Sequence, residues 1–351
     1  MSAWFYSGRP ASGEVLRERP IRPPARRVFN GAMTRFEQAT DAIERALQGH
    51  SGVAQVSAGL ALVALGLLAT AGVARRFERA IPRPAPPPPP PRLAETPARW
   101  PALARVAAWV ALRLGRGPPP SMRPALLPLS VLIVLAAGMA GTGVARRFAA
   151  SSVEASTPGA DLRAFAVATL LVAATLLLFL LAWTRRLGGG LGDLGVTFRR
   201  AGPSLALALA AYVAYAPVQL GAMAIESGAW SLAGSSAPRQ AAVVAFAGDP
   251  ALQRDLLVLA GVVVGAPLYE ELLFRGVLQA FVRRLLPAWP AIAATALAFT
   301  LPHDGGWLPV LALGAALSWL MARTGNLLAP LLFHMLHNGL VLFVIARTGG
   351  A

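Results

Sequence analysis

Leu256-Leu-Val-Leu-Ala-Gly-Val-Val-Val-Gly-Ala-Pro-Leu-Tyr-Glu270-Glu271-Leu-Leu-Phe-Arg275-Gly-Val-Leu-Gln-Ala-Phe281 is an apolar run with two carboxylates and a guanidinium set inside it. At about 1.5 Å per residue it is long enough to cross a hydrocarbon core about 30 Å thick. Its length decides the fold class. Its three charges point to chemistry, because a charge at membrane depth is costly and marks a working site by default.

Seven further apolar runs surround it, at residues 53–74, 124–144, 162–183, 203–225, 291–302, 308–321 and 327–345. Only 14% of the 351 residues are charged, 56% are hydrophobic, and the mean hydropathy is +0.56. A soluble domain carries about 25% charge. The composition excludes a disordered chain and argues against an ordinary soluble enzyme. It implies an all-α, polytopic transmembrane helix bundle of about eight spanning helices with a soluble N-terminal arm. The arm, residues 1–50, lacks the apolar core of a signal peptide. An amphipathic helix is expected over 30–48, with Phe36, Ala39, Ile43 and Leu47 on one face, so the arm faces the cytosol or the membrane surface. Residues 51–190 hold the N-terminal transmembrane helices. Within them the Pro-rich linker 81–92 includes an unbroken proline run, Pro86 to Pro91, which favours a stiff polyproline spacer. Residues 101–114 are too short for a comfortable crossing and read as interfacial or re-entrant. Gly72-Val-Ala-Arg-Arg-Phe77 recurs as Gly143-Val-Ala-Arg-Arg-Phe148, an echo that would make 101–114 a true crossing if it reflects a repeat.

The formal net charge is +16, and every one of the 32 basic residues is arginine. A soluble protein this basic would suggest nucleic acid. Here the arginines flank apolar runs, as at Arg75–Arg76, Arg146–Arg147, Arg185–Arg186, Arg199–Arg200 and Arg283–Arg284. That pattern orients helices and meets anionic lipid, so the expected partner is membrane lipid and not nucleic acid. Arginine density places 75–123, 185–200 and 283–284 on the cytoplasmic side of a cell membrane. With no cysteine, disulfides, Cys-ligated zinc and thiol catalysis are excluded. Oligomeric state is not legible.

Two motifs fail their context. Gly190-Leu-Gly-Asp-Leu-Gly195 matches a dinucleotide fingerprint, but no strand precedes it. It also holds a GxGD sequence of intramembrane aspartyl proteases, yet Asp193 lies in an Arg-flanked loop with no second aspartate in an apolar run. HExxH is absent.

Polar residues converge in the C-terminal third. After Glu270-Glu271 and Arg275 come Phe299-Thr-Leu-Pro-His303 and then His334-Met-Leu-His337-Asn338. Glu271 and Arg275, four apart on a helix, can pair. Glu270 is turned about 100° away and is left to point elsewhere. A carboxylate in low dielectric suits a general base working near neutral pH. His334 and Asn338 share a face, while His337 is turned off it and reads as structural. If the three helices pack together, Glu270, His303 and His334 surround one buried water. Glu270 takes the water's proton as it attacks a peptide carbonyl. One histidine helps to place the water, and the other, with Asn338, donates to the oxyanion. The same Glu270, His303 and His334 set also admits a divalent metal such as zinc. Alone, the first cluster would be a surface ion pair and the last an interhelical hydrogen-bonding pair.

In this order EExxxR, FxxxH and HxxxN resemble the CPBP family of intramembrane proteases, which includes type II CAAX prenyl endopeptidases and bacteriocin-processing or immunity relatives. The resemblance covers about 252–345. Leu194-Gly-Val-Thr-Phe-Arg-Arg200 resembles the family's upstream LG…RR stretch. Thr324-Gly-Asn-Leu-Leu-Ala-Pro330 resembles its TG…AP lead-in. The resemblance implies that Glu270 activates water. It also carries the family's motif positions onto Glu271, Arg275, Phe299, His303, His334 and Asn338. Residues 191–351 would then be the catalytic transmembrane core of an intramembrane endopeptidase, in a bacterial inner membrane, acting on a peptide or membrane protein. Its site would open towards the cytoplasm. The rival reading is a catalytically idle scaffold or bacteriocin-immunity factor, and a proton relay or transporter is a third.

Overall fold

Where apolar residues follow one another without interruption, the backbone must satisfy its own polar groups, and in lipid a helix does so within one segment. The computed structural model describes residues 51–81, 158–186, 191–198, 201–303 and 305–348. Among them every long element is a helix and none is a strand. We number them α1 Gly52–Arg76, α2 Pro158–Arg186, α3 Ala201–Leu232, α4 Ala241–Gly248, α5 Leu256–Leu285, α6 Ala288–Thr300, α7 Trp307–Thr324 and α8 Leu328–Thr348. The arm 1–50, most of the proline linker, 101–114, the candidate span 124–144 and the second copy of the Gly-Val-Ala-Arg-Arg-Phe echo lie outside the described residues.

Among the described residues six helices are long and apolar enough to cross a membrane: α1, α2, α3, α5, α7 and α8. The expectation of a further span at 291–302 is corrected. That segment belongs to α6, which has 13 residues and reaches only about 20 Å. Pro287 before it and the turn after Thr300 limit its length.

Glycines set the helix spacing. On α1, Gly52, Gly59 and Gly66 are buried, and on α3 Gly228 and Gly221 oppose the first two. A Cβ at Gly59 would lie 2.6 Å from the Gly221 carbonyl, so the two antiparallel backbones touch and larger residues are shut out. Gly261 and Gly265 of α5 form a GxxxG pair against α2, where a Cβ at Gly261 would lie 2.5 Å from Ala166.

α5 is not a uniform α-helix. Asp255 caps its start, accepting from the Leu257 N–H at 2.9 Å, and also pairs with Arg163 of α2. It then widens into π-helix at Gly261–Gly265 and again at Glu271–Gln279. Such stretches are rare and frequently lie at functional sites. Beside them, Arg275 Nη2 donates to the Gly314 carbonyl at 3.1 Å and Gln279 Nε2 to the Ser318 carbonyl at 2.8 Å. Equal steps along both helices make α5 and α7 parallel neighbours.

The two flanking motifs meet. Thr324 ends α7, Gly325 turns the chain at φ 61°, and Asn326 accepts from the Leu328 N–H that starts α8. Between them the Leu327 N–H donates to the Gly195 carbonyl at 2.8 Å. Gly195 itself sits at φ 79°, where a side chain would be strained.

Candidate active site

The second π-helical stretch begins at Glu271, so the charged residues sit where α5 changes its winding. Glu271 and Arg275 are wholly buried and pair at 2.9 Å, Oε1 accepting from Nη1. The pair alone does not define the site. His334 of α8 points its Nδ1 at the same Glu271 Oε1, also at 2.9 Å. A carboxylate oxygen accepts, so that imidazole nitrogen carries the proton. The opposite nitrogen, Nε2, then turns towards Glu270, 3.7 Å from its Oε2. That gap is too wide for a direct hydrogen bond, but a water can bridge it. Glu270 is slightly open, with its side chain 13% exposed, whereas Glu271 is sealed.

The sequence expectation separated Glu270 from the Glu271–Arg275 pair, and the structure has that separation. It adds a contact that helical spacing within one segment could not supply. The carboxylate bonded directly to His334 is Glu271, which holds the imidazole by one nitrogen while Glu270 faces the other.

Phe299 joins the second motif to the first and third. Its ring lies 5.1 Å from that of His303 and 5.8 Å from that of His334, and 4.5 Å beneath the Arg275 guanidinium. The negative ring face and the cation attract. His303 follows on the turn after α6, with Nδ1 2.9 Å from the Phe299 carbonyl. A carbonyl can only accept, so Nδ1 is protonated and Nε2 is left for another partner. Asn338, one turn beyond His334, donates from Nδ2 to the Val262 carbonyl at 2.9 Å. Val262 lies in the first π-helical stretch, where the shifted register leaves carbonyls in need of other donors. One Nδ2 hydrogen and Oδ1 remain. His337 packs its ring 6.2 Å from Tyr215 and 6.3 Å from Tyr212, a place in the aromatic core between α8 and α3.

Among the described residues no group of three or more His, Asp or Glu side chains is disposed to hold a metal ion. Gln279 was not foreseen. It stands four residues after Arg275 in an apolar helix, and that spacing is the signal that would have found it.

With this geometry in place, the comparison with known families can be read residue by residue. Residues 252–340 match the family model described as Type II CAAX prenyl endopeptidase Rce1-like. This stretch is similar to an Rce1-like domain. It contains EExxxR, FxxxH and HxxxN, the clusters that the fold brings together. The matched stretch covers about a quarter of the chain and is what the chain shares with CAAX-type membrane proteases. With six apolar helices of spanning length, the chain is a multi-pass membrane protein. No curated protein and no solved structure matches it.

Proposed function

We propose that this chain is an intramembrane endopeptidase that hydrolyses a peptide bond with a water activated by Glu270. The observation that carries the reading is the placement of His334 between two carboxylates. Glu271 holds Nδ1, so Nε2 faces Glu270 at 3.7 Å, and a water beside the pair can contact both. A water there has one acceptor to take its proton and a second, aimed nitrogen to orient its attack.

His303 acts on the other side of the reaction. Because Nδ1 is committed to the Phe299 carbonyl, Nε2 accepts in the neutral ring and donates only as imidazolium. In the protonated form it donates a hydrogen bond to the developing oxyanion, while the proton that Glu270 took from the water passes to the leaving amine and so restores the Glu270 carboxylate. The remaining Asn338 Nδ2 hydrogen is the second oxyanion donor. Such fixed donors are worth about 2.7–4 kcal/mol each in acyl transfer. Arg275 and Phe299 hold Glu271 and the rings in register. No step is assigned to a metal.

The substrate class is a membrane-bound peptide or protein. The site is taken to be reached from the Arg-rich, cytoplasmic end, where α8 begins, with His334 about two turns along it. The test is comparative N-terminal proteomics on membranes from cells expressing wild type or Glu270→Gln. New N-termini present only with wild type support hydrolysis. A phenotype lost on deletion and fully kept in Glu270→Gln would favour the idle scaffold or immunity factor.

A further inference from the structure

His303 follows the end of α6, and its position depends on what fixes the chain there and at the start of α7. The start of α7 can be accounted for donor by donor. Gly306, at φ 64°, has no side chain to cap the helix. Pro309 has no N–H, and the Val310 N–H goes to the Gly306 carbonyl at 2.9 Å. Two donors remain, Trp307 N–H and Leu308 N–H. Both go to one side chain, Glu226 of α3, at 3.1 Å to Oε1 and 3.3 Å to Oε2.

Glu226 is the sole charged residue of α3 and is 8% exposed. From Trp307 the connection continues to the histidine, because the indole Nε1–H donates to the His303 carbonyl at 3.1 Å. The neighbouring segment adds a second anchor. Gln240 Nε2 donates to the Gly305 carbonyl at 3.2 Å, and a Cβ at Gly305 would lie 2.7 Å from the Pro238 carbonyl. These anchors come from residues 226–240, upstream of the matched stretch.

At φ 64° a capping side chain at position 306 would be strained, so α7 cannot be capped from that position. A carboxylate brought in from another membrane helix is expensive. What it adds is a link between α3 and the His303 turn. We propose that Glu226 is a positioning residue, which holds His303 at the site by fixing the start of α7 to α3. The proposal rests on the proteolytic reading given above.

The test uses the full chain in lipid nanodiscs with Glu226→Ala and Glu226→Gln. The chain has four histidines, so ring 15N signals can be assigned by single substitutions. Glu226→Ala is expected to move the His303 ring signals while those of His334 and His337 stay. It should also lower the yield of Glu270-dependent N-termini about tenfold, as a small misplacement of a reacting group does. Glu226→Gln keeps one acceptor and should lose about threefold. Unmoved His303 signals in Glu226→Ala overturn the proposal. So does a uniform shift of all histidines in both variants, which would mark a merely structural residue. If wild type yields no Glu270-dependent N-termini, the proteolytic reading is what fails. The ring signals then still decide whether Glu226 fixes the turn.

Discussion

Glu271 Oε1 and His334 Nδ1 stand 2.9 Å apart although 63 residues separate them in the chain. The same oxygen takes the Arg275 guanidinium, so one buried atom holds a cation of its own helix and an imidazole of another. The two adjacent glutamates therefore do different work, and substitution should tell them apart.

Glu271→Ala leaves Arg275 as an uncompensated buried charge and frees His334. Breaking a buried pair from one side costs about 3–5 kcal/mol. The expected result is a large loss of folded protein in detergent, read by thermal unfolding and size-exclusion yield. Glu270→Gln should leave that stability unchanged and reduce cleavage by about 10²–10⁴, the share of a general base. Equal unfolding in both variants would contradict the division.

Phe299 touches Arg275, His303 and His334 through one ring. Phe299→Leu keeps an apolar side chain and removes the π face. Stability should fall by about 1–2 kcal/mol as the desolvated cation–π contact goes. Cleavage should fall about tenfold because both imidazoles lose a wall. Thermal melts and the yield of Glu270-dependent N-termini measure the two effects separately.

The backbones of α1 and α3 touch at Gly59 and Gly221. Gly59→Leu cannot be absorbed, because the obstructing atom is a main-chain carbonyl. The helices should separate, and a disulfide engineered across this contact should form in the otherwise cysteine-free wild type and fail with the leucine. Gly72, around whose Cβ there is open space within 4 Å, serves as the control, and Gly72→Leu should be silent.

The Arg163 side chain, together with the Leu257 and Val258 N–H groups, holds the Asp255 carboxyl below the usual carboxylate range. A depressed acid contributes stability that is full above its unfolded value, about 3.9, and is lost as pH falls through the folded value. Melting temperature should therefore drop on acidification below about pH 4. Asp255→Asn should be less stable at neutral pH and show a smaller drop. An unchanged acid limb in the variant would assign the effect to other carboxylates.

Orientation can be tested in the same cysteine-free background. Ser235 and Arg79 are exposed and lie towards opposite ends of the antiparallel α1–α3 pair. If the Arg-rich end is cytoplasmic, a membrane-impermeant maleimide should label Ser235→Cys in intact cells and Arg79→Cys only after permeabilisation. The reverse pattern would place the arginines outside.

The membrane class, the helical fold and the identity of the three polar clusters were legible from residue order. Apolar length is a one-dimensional property, and so is the cost of a charge inside it. The Glu271–Arg275 pair was legible too, because both residues share one helix. The length of α6 was misjudged, since hydropathy does not register where a proline and a turn stop a helix. Glu226 escaped notice because it sits at the end of an apolar run, where a charge ordinarily marks the membrane boundary. Its two donors are backbone groups 81 and 82 residues away.

From the order of residues alone, this chain had to be a helical membrane protein with three polar clusters in its last third. Tertiary packing decided which glutamate holds His334 and which one faces it, and that α3 supports the His303 turn. The physical reason is range. Helix formation and burial cost are set within one segment, whereas a hydrogen bond acts over about 3 Å between atoms that only the fold brings together.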